Sequence, residues 1–396
     1  MMKWASTVSE NPDLKKAIGE VAKRVRAELK GATPDLLIAF VSPEHQADWE
    51  DVPSLLSQEF PGSKILGSSG GGVIGGGEEI ERKPGFSLTA AVLPGVEVTP
   101  IWLENDDLPT LRSDRKTWEK LLGISFEKNP HFLLLPDPFT FDAEALLEGL
   151  DAAFPWSKKI GGMASGGRDA GENILFLDGE FHREGAVLVG LSGNIMVDTI
   201  VAQGCRPIGV PMFVTQCDQN LLLEVDGRPP TEVLKELYLN LEPRDQDLFR
   251  NSLFLGVVMK PSQPRYAQGD FLIRNLVGMD PQSRALAIGA FLQENWVVQF
   301  HLRDAQTSAE DLDELLSRFA SDLPIPPPQG ALLFSCMGRG EALYLQPNHD
   351  SKVFARHLGP LPLGGFFCNG EIGPVHGKTF LHGYTSCFGL FRPRSL

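Results

Sequence analysis

The chain has 396 residues, of which 42% are hydrophobic, 22% charged and 9% aromatic, enough to bury a large core without disulfide or metal staples. Its 36 Lys and Arg against 51 Asp and Glu leave a net charge of −15, and no window is densely basic. This excludes non-specific nucleic-acid binding and attraction to anionic lipid as first expectations.

The N-terminus has no apolar run that could serve as a signal-peptide core, and the longest apolar run, residues 285–292, is far too short to span a bilayer. Cys205, Cys217, Cys336, Cys368 and Cys387 include no Cys-x-x-Cys pair and read as reduced thiols. Together these features predict a cytoplasmic protein.

The first predicted element is a helix. Asn11-Pro12-Asp13 supplies a cap, a first-turn proline and an acid near the positive dipole end. Leu14, Ile18, Val21, Val25 and Leu29 then recur at helical spacing, with Lys15, Lys16, Lys23, Arg24 and Arg26 elsewhere.

A repeat follows. Residues 36–41 are an unbroken apolar strand, Leu55, Leu56 and Phe60 line a short helix, and Phe60-Pro61-Gly62-Ser63-Lys64-Ile65-Leu66-Gly67 enters a glycine-rich loop. The scheme recurs from residue 132, with Leu146, Leu147, Leu150 and Phe154 on the helix. There Phe154-Pro155-Trp156-Ser157-Lys158-Lys159-Ile160-Gly161 enters a second Gly/Ser loop. A looser third copy has its strand at residues 332–334, its helix face at Val353, Phe354 and Leu358, and its glycine loop at residues 364–373. An apolar strand closes each copy, at residues 86–93, 185–191 and 384–391. The unit is strand, helix, strand, glycine loop, strand, and such a unit mixes a crossover with a hairpin.

Between the second and third copies the pattern changes. Residues 213–215 and 221–225 predict a hairpin running into a proline-started helix at residues 231–237. Residues 271–277, 285–291 and 296–302 predict further strands. Ser308 is read as the cap of a helix carrying Leu312, Leu315, Leu316 and Phe319, with Asp311 at its third position. The fold class is therefore α/β or α+β: two closely packed halves, with mixed sheets flanked by helices and built from the repeated unit. The boundary falls near residues 200–210, giving domains 1–205 and 206–396.

The run from Gly67 to Gly77 contains a literal Gly-x-Gly-x-x-Gly at Gly70, Gly72 and Gly75, but Glu78, Glu79 and Glu81 follow where a phosphate-binding helix would have to open. No dinucleotide is expected there. The loops of the three copies should converge, and their glycines allow close approach of a ligand or of another segment. No histidine or cysteine spacing fits a metal, so no metal or other cofactor is expected. Cys368 lies near His376 and His382, an arrangement that could activate a thiolate nucleophile or equally leave Cys368 as a small buried residue. Arg206, Arg339 and Arg168 sit in small-residue loops where a guanidinium could grip a carboxylate or serve in a structural ion pair.

The C-terminal half resembles the FIST domain family. The resemblance rests on Gly204-Cys205-Arg206-Pro207-Ile208-Gly209, Asp226-Gly227-Arg228-Pro229 and Phe334-Ser335-Cys336-Met337-Gly338-Arg339-Gly340. It continues in Gly365-Phe366-Phe367-Cys368-Asn369-Gly370-Glu371-Ile372-Gly373-Pro374 and Phe380-Leu381-His382-Gly383-Tyr384-Thr385. The N-terminal half is similar to the companion N-terminal FIST region through its opening helix and the Gly67-to-Gly77 loop. The resemblance implies a cytoplasmic sensory module that binds a small ligand such as an amino acid. The length leaves no room for an appended kinase, cyclase, chemoreceptor or F-box segment, so a stand-alone version would act through a protein partner or by an unrecognised activity.

The candidate ligand-binding set is Arg206, Cys336, Arg339, Cys368, Asn369, Gly370, Glu371, His382, Tyr384, Ser68 and Gly70. Asn369 offers donors and an acceptor, Glu371 an anion, and Arg206 or Arg339 a cation, which together suit a small zwitterion. Glu371 could instead be satisfied internally. The competing readings are an enzyme using Cys368 with His376 or His382, and a non-catalytic assembly or scaffold factor.

Overall fold

The computed structural model describes residues 1–110, 113–261, 263–280 and 282–394. In chain order the first part holds β1 (Lys3–Ser9), α1 (Leu14–Glu28), β2 (Leu36–Val41), α2 (Val52–Glu59), β3 (Lys64–Ser69), β4 (Gly72–Gly75), β5 (Glu78–Glu81), β6 (Phe86–Val92) and β7 (Val96–Leu103). Next come α3 (Arg115–Leu122), β8 (His131–Pro136), α4 (Ala143–Ala153), β9 (Lys159–Gly162), β10 (Leu175–Leu177), β11 (Glu180–His182), β12 (Ala186–Gly193) and β13 (Met196–Gln203). A stretch outside the repeat follows: β14 (Cys205–Asp218), β15 (Leu221–Val225), α5 (Pro230–Asn240), α6 (Pro243–Asn251), β16 (Leu253–Val258), β17 (Phe271–Met279), β18 (Leu286–Ile288), β19 (Val297–Arg303) and α7 (Ala305–Ser321). The last part is β20 (Gly330–Cys336), α8 (Glu341–Tyr344), α9 (His349–Leu358), β21 (Leu363–Cys368), β22 (Glu371–Val375), β23 (Lys378–His382) and β24 (Thr385–Arg392).

Two compact units divide the chain. One comprises Met1–Val201, Asp313–Leu381 and the chain from Thr385, and the other Ala202–Leu312 and His382–Tyr384.

The first unit is a threefold repeat of one sheet plan. The sheets run β1-β6-β2-β3-β10-β11, β7-β12-β8-β9-β22-β23 and β13-β24-β20-β21-β4-β5. Each has a parallel pair joined by a helical crossover (β2 with β3, β8 with β9, β20 with β21) and an antiparallel strand beside it (β6, β12, β24). A strand buried on both faces reads as an unbroken apolar run, which is why Leu36–Val41 and the start of β20 lack alternation.

The hairpins do not stay with their own copy. The β4–β5 hairpin, which follows the first copy's glycine strand, pairs with β21 of the third. The β10–β11 hairpin of the second copy pairs with β3 of the first, and β22 of the third pairs with β9 of the second. Each glycine loop therefore crosses from one sheet to another, and the three sheets are laced in a ring.

One hydrophobic cluster draws on all three sheets, with Leu36, Ile38 and Phe40 from the first, Leu133 and Leu135 from the second, and Leu332, Phe334 and Phe366 from the third. The helices cover outer faces. Leu14, Ile18, Val21 and Val25 of α1 pack with Leu37, Ala39 and Val41, and Leu146, Leu147 and Leu150 of α4 pack with Phe132 and Leu134. Mixed sheets, flanking helices and the repeated unit are thus all present. The second unit holds a closed barrel, β14-β15-β18-β17-β16-β19, with Val214, Leu222, Leu255, Val298 and Phe300 in its core.

Several local expectations are corrected. Strand β1 is an addition to the expected elements; it is recruited by β6, from Lys3 against Val92 to Ser9 against Phe86, and Lys3, Ser6, Thr7 and Ser9 mask its apolar signal. Asp13, not Asn11, caps α1, its carboxylate accepting the Lys16 N–H at 3.0 Å. Ser308 lies inside α7, because Asp304 already accepts the Gln306 N–H at 3.0 Å and starts the helix earlier. The strand expected at residues 285–291 is only Leu286–Ile288.

Candidate functional site

The glycine loops of the three copies meet in the first unit. Gly71 N–H donates to the Phe367 carbonyl at 3.2 Å and to Ser165 Oγ at 2.8 Å, while Ser165 Oγ donates to the same Phe367 carbonyl at 2.6 Å. Ser165 N–H donates to the Ser69 carbonyl at 3.3 Å, and Met163 exchanges backbone hydrogen bonds with Gly370 at 2.9 Å and Asn369 at 3.1 Å. Side chains are excluded here: a Cβ on Gly162 would lie 2.8 Å from Cys368 Cβ and Sγ, and one on Gly70 would lie 2.9 Å from the Phe366 ring. Met337 and Asn369 are exposed beside this junction, and Cys336, Gly71 and Gly166 are half-buried.

Beneath the junction, at the C-terminal ends of β20 and β21, lies a cluster of buried ionisable groups. Arg339 is wholly buried and forks onto Asp350, with Nε 2.9 Å from Oδ2 and Nη2 3.2 Å from Oδ1. Asp350 also accepts from Ser386 Oγ at 2.5 Å and contacts His349 Nδ1 at 2.9 Å, and His349 stacks on Tyr344 at 3.5 Å. Burial pushes the Asp350 carboxyl up, but the Arg339 charge and the His349 and Ser386 hydrogen bonds hold it well below the usual carboxylate range. The same pairing holds the Arg339 guanidinium firmly charged in spite of its burial.

Two further carboxyls behave in the opposite way. Glu371 is fully buried and accepts at Oε2 from the Thr385 N–H (2.9 Å) and Oγ1 (2.7 Å). Burial outweighs those bonds and raises it to about 7. Glu79, carried in by the exchanged hairpin, accepts the Ser351 N–H at 2.7 Å through Oε1, while its buried Oε2 has no hydrogen-bond partner among the described residues. Burial and then the Asp350 charge raise Glu79 to about 7.

Cys336 and Cys368 are register partners across the parallel β20–β21 pair. The Cys368 thiol lies 3.4 Å from the Ser335 carbonyl and 3.6 Å from Glu371 Oε1. Burial and then the Glu371 charge push it well above its ordinary range.

Cys336, Arg339, Cys368, Asn369, Gly370 and Glu371 are thus gathered at one corner of the first unit. Gly70 belongs to the loop junction above them. Ser68 sits in β3 between Phe40 and Leu175, its buried Oγ without a hydrogen-bond partner among the described residues. Arg206, His382 and Tyr384 belong to the second unit. Arg206 pairs there with Asp245 and, at 3.2 Å, with Asp304; Tyr384 donates through its hydroxyl to Asn275 and packs 4.3 Å from the Phe254 ring. His376 is exposed at the turn between β22 and β23, at φ 51°. Arg168 is exposed, its N–H donating to Glu172 at 2.7 Å.

Glu79, Asp350, Thr385, Ser386 and Ser165 are site residues that the sequence reading misses. The only signal for Glu79 is an acidic run after the glycines, and it does not show that the hairpin crosses to another copy. Asp350 sits in Asn348-His349-Asp350-Ser351, which reads as an ordinary polar helix start. Among the described residues, no group of three or more His, Cys, Asp or Glu could hold a metal, and no helix is long and apolar enough to cross a membrane.

A ring of repeated sheets, a separate barrel unit, and a buried charged cluster beneath a glycine junction define a mixed α/β protein with a candidate ligand site. The chain belongs to the FIST family: residues 35–228 match the FIST N domain and residues 230–374 the FIST C domain. It is 36% identical over 386 residues to an uncharacterized protein of Mycobacterium tuberculosis, covering 97% of this chain and 98% of that protein. An uncharacterized protein of Mycobacterium bovis is 35% identical over 386 residues, covering 97% of each chain. An F-box/LRR-repeat protein of Arabidopsis thaliana is 27% identical over 163 residues, covering 36% of this chain and 30% of that protein. Among solved structures, a cyanuric acid hydrolase from A. caulinodans aligns over 100% of both chains at 8% identity and a TM-score of 0.36, which assigns no activity here.

Proposed function

We propose that the chain is a small-ligand-binding regulatory protein that takes an amino acid or similar small zwitterion at the third-copy cluster. The observation that supports this reading is the concentration of Glu79, Arg339, Asp350, Cys368 and Glu371 in one buried corner. Charges removed from water cost several kcal/mol each, and a fold selected for stability alone gains as much from apolar residues of the same volume. Such groups gather instead where a protein handles a polar ligand. The junction above them supplies half-buried backbone at Gly71 and Gly166, the Asn369 amide and the Met337 side chain.

A zwitterion meets both signs of charge here. Its ammonium group is matched by Glu371 or Glu79, and its carboxylate by backbone N–H groups and the field of Arg339. Arg206 pairs with Asp245 and Asp304, so the ligand reading rests on the third-copy residues. The cysteine-dependent alternative is weaker, because burial raises the Cys368 thiol and its hydrogen bonds run to Ser335 and Glu371.

A thermal-shift screen across amino acids and small carboxylates tests the proposal. A ligand at a hundred times its dissociation constant adds about 2.7 kcal/mol to stability. A shift with amino acids and none with matched neutral amides supports a zwitterion site, and no shift with any compound contradicts it.

A further inference from the structure

Cys336 and Cys368 end adjacent parallel strands in register, which places their Cβ atoms on the same face of the sheet. Neighbouring strands lie about 4.8 Å apart, inside the roughly 4.4–6.8 Å range of Cα separations that a disulfide bridges. The thiol of Cys368 already points toward β20, 3.4 Å from the carbonyl of Ser335, the residue before Cys336. Gly162 keeps that space open, since a Cβ there would lie 2.8 Å from Cys368 Sγ.

The two sulfurs differ in access. Cys336 is half-buried at the end of its strand, where Met337-Gly338 leaves the sheet, whereas Cys368 is fully buried. Gly338 N–H donates to Cys336 Sγ at 3.5 Å, and the Arg339 guanidinium lies close enough to interact with charge on that sulfur. Both place positive partial or full charge near the Cys336 sulfur as it reacts. Cys368 has a proton acceptor in hand, Glu371 Oε1 at 3.6 Å.

We propose that Cys336 and Cys368 form a redox pair that closes to a disulfide on oxidation by a hydroperoxide. The Cys336 thiol gives up its proton and the thiolate attacks the peroxide. The O–O bond breaks, and the departing hydroxide, or the alkoxide of an organic hydroperoxide, takes up that proton, leaving the Cys336 sulfenic acid and water or an alcohol. Cys368 then attacks the Cys336 sulfur, passing its proton to Glu371. The S–O bond breaks, the departing hydroxide takes that proton and leaves as water. In sum, two thiols and one hydrogen peroxide become one disulfide and two waters, the sulfurs losing the two electrons the peroxide gains. This inference stands on the strand register and not on the ligand reading, and its test reads only the thiols.

The test uses the full-length chain with Cys217→Ser, which removes the half-buried cysteine of the second unit. After treatment with hydrogen peroxide, the chain is denatured, alkylated and mapped by mass spectrometry. The expected result is loss of two alkylatable thiols per chain, an intramolecular peptide pair joining Cys336 to Cys368, and full recovery with dithiothreitol. Adding Cys368→Ser should leave Cys336 as a sulfenic acid captured by dimedone, and adding Cys336→Ser should leave Cys368 alkylatable. If a serine at Cys368 prevents folding, Cys368→Ala takes its place, and the disulfide map of the parent chain stands without either. Recovery of both cysteines as thiols after oxidation, or a bond from either to a different cysteine, overturns the proposal.

Discussion

Gly161 faces Leu134 across the β8–β9 pair so closely that a Cβ on the glycine would lie 1.9 Å from the Leu134 carbonyl oxygen. The relationship recurs in each copy. A Cβ on Gly67 would lie 2.1 Å from the Ala39 carbonyl oxygen, and one on Gly365 would lie 1.8 Å from that of Leu333. These contacts involve backbone, which has no rotamer to yield, so each glycine is a register mark of the repeat.

Gly161→Ala should therefore destabilise the first unit by about 3 kcal/mol or more, since overpacking against backbone cannot relax by side-chain movement. Gly19→Ala should do the reverse. Gly19 is inside α1, a methyl group added to it would meet nothing within 4 Å, and alanine gains about 1 kcal/mol in a helix interior. Denaturant unfolding followed by circular dichroism checks both, and equal stability of the two variants would contradict the account.

Two opposed groups of buried side chains should shape the dependence of stability on pH. His131 and His301, lowered by burial to about 4 from 6.5, make it rise between about 4 and 6.5, while Glu79 and Glu371 make it fall between about 4.5 and about 7. Glu79 and Glu371 are each raised to about 7 from 4.5 by burial, so across that window the folded chain holds protons that the unfolded chain has released. Each carboxyl can cost on the order of 3 kcal/mol once ionised, as an upper bound from that displacement. Asp350 works the other way: its contribution is present above its ordinary value of 3.8 and is lost as pH falls through its lowered folded value. Relative to the parent chain, Glu371→Gln should gain stability as pH rises from about 4.5 to about 7, and Glu79→Gln with Glu371→Gln should gain more, because only the histidine contribution is then left. Unfolding midpoints at intervals from pH 5 to pH 8 give the answer.

The Arg339–Asp350 pair predicts strong non-additivity. Arg339→Met or Asp350→Asn alone leaves a buried group without its partner and should cost about 3–5 kcal/mol. Arg339→Met combined with Asp350→Asn should cost clearly less than the two single losses added together. A double-mutant cycle in urea reads this directly; simple additivity would mean that the two residues are not energetically coupled.

How much of this is legible in the sequence depends on range. Phe-Pro-x-Ser-Lys at Phe60 and Phe154, each leading to a glycine after an apolar strand, is local information, and the parallel pairs follow from it. So does the grouping of Cys336, Cys368 and Glu371, because consecutive elements of one copy carry them. The hairpin exchange is not legible. Nothing near Glu79 marks Asn348 and Ser351 as its partners, since pairing between copies is set by which sheet edge is open once all three have formed. Arg206 and Arg339 each sit in a plausible grip loop, but the carboxylates that pair with them, Asp245, Asp304 and Asp350, come from other elements. Spacing along the chain carries no signal for such pairing.

Titration calorimetry of the full-length chain and its Glu371→Gln variant, with an amino acid that shifts the melting of the parent chain, tests the central claim most directly. Glutamine keeps the shape and can still accept from Thr385, so the fold should persist while the anion is lost. The account predicts saturable binding to the parent chain and at least tenfold weaker binding to the variant, about 1.4 kcal/mol or more. Equal affinity in the two proteins, or no binding by any amino acid to the parent chain, would contradict it.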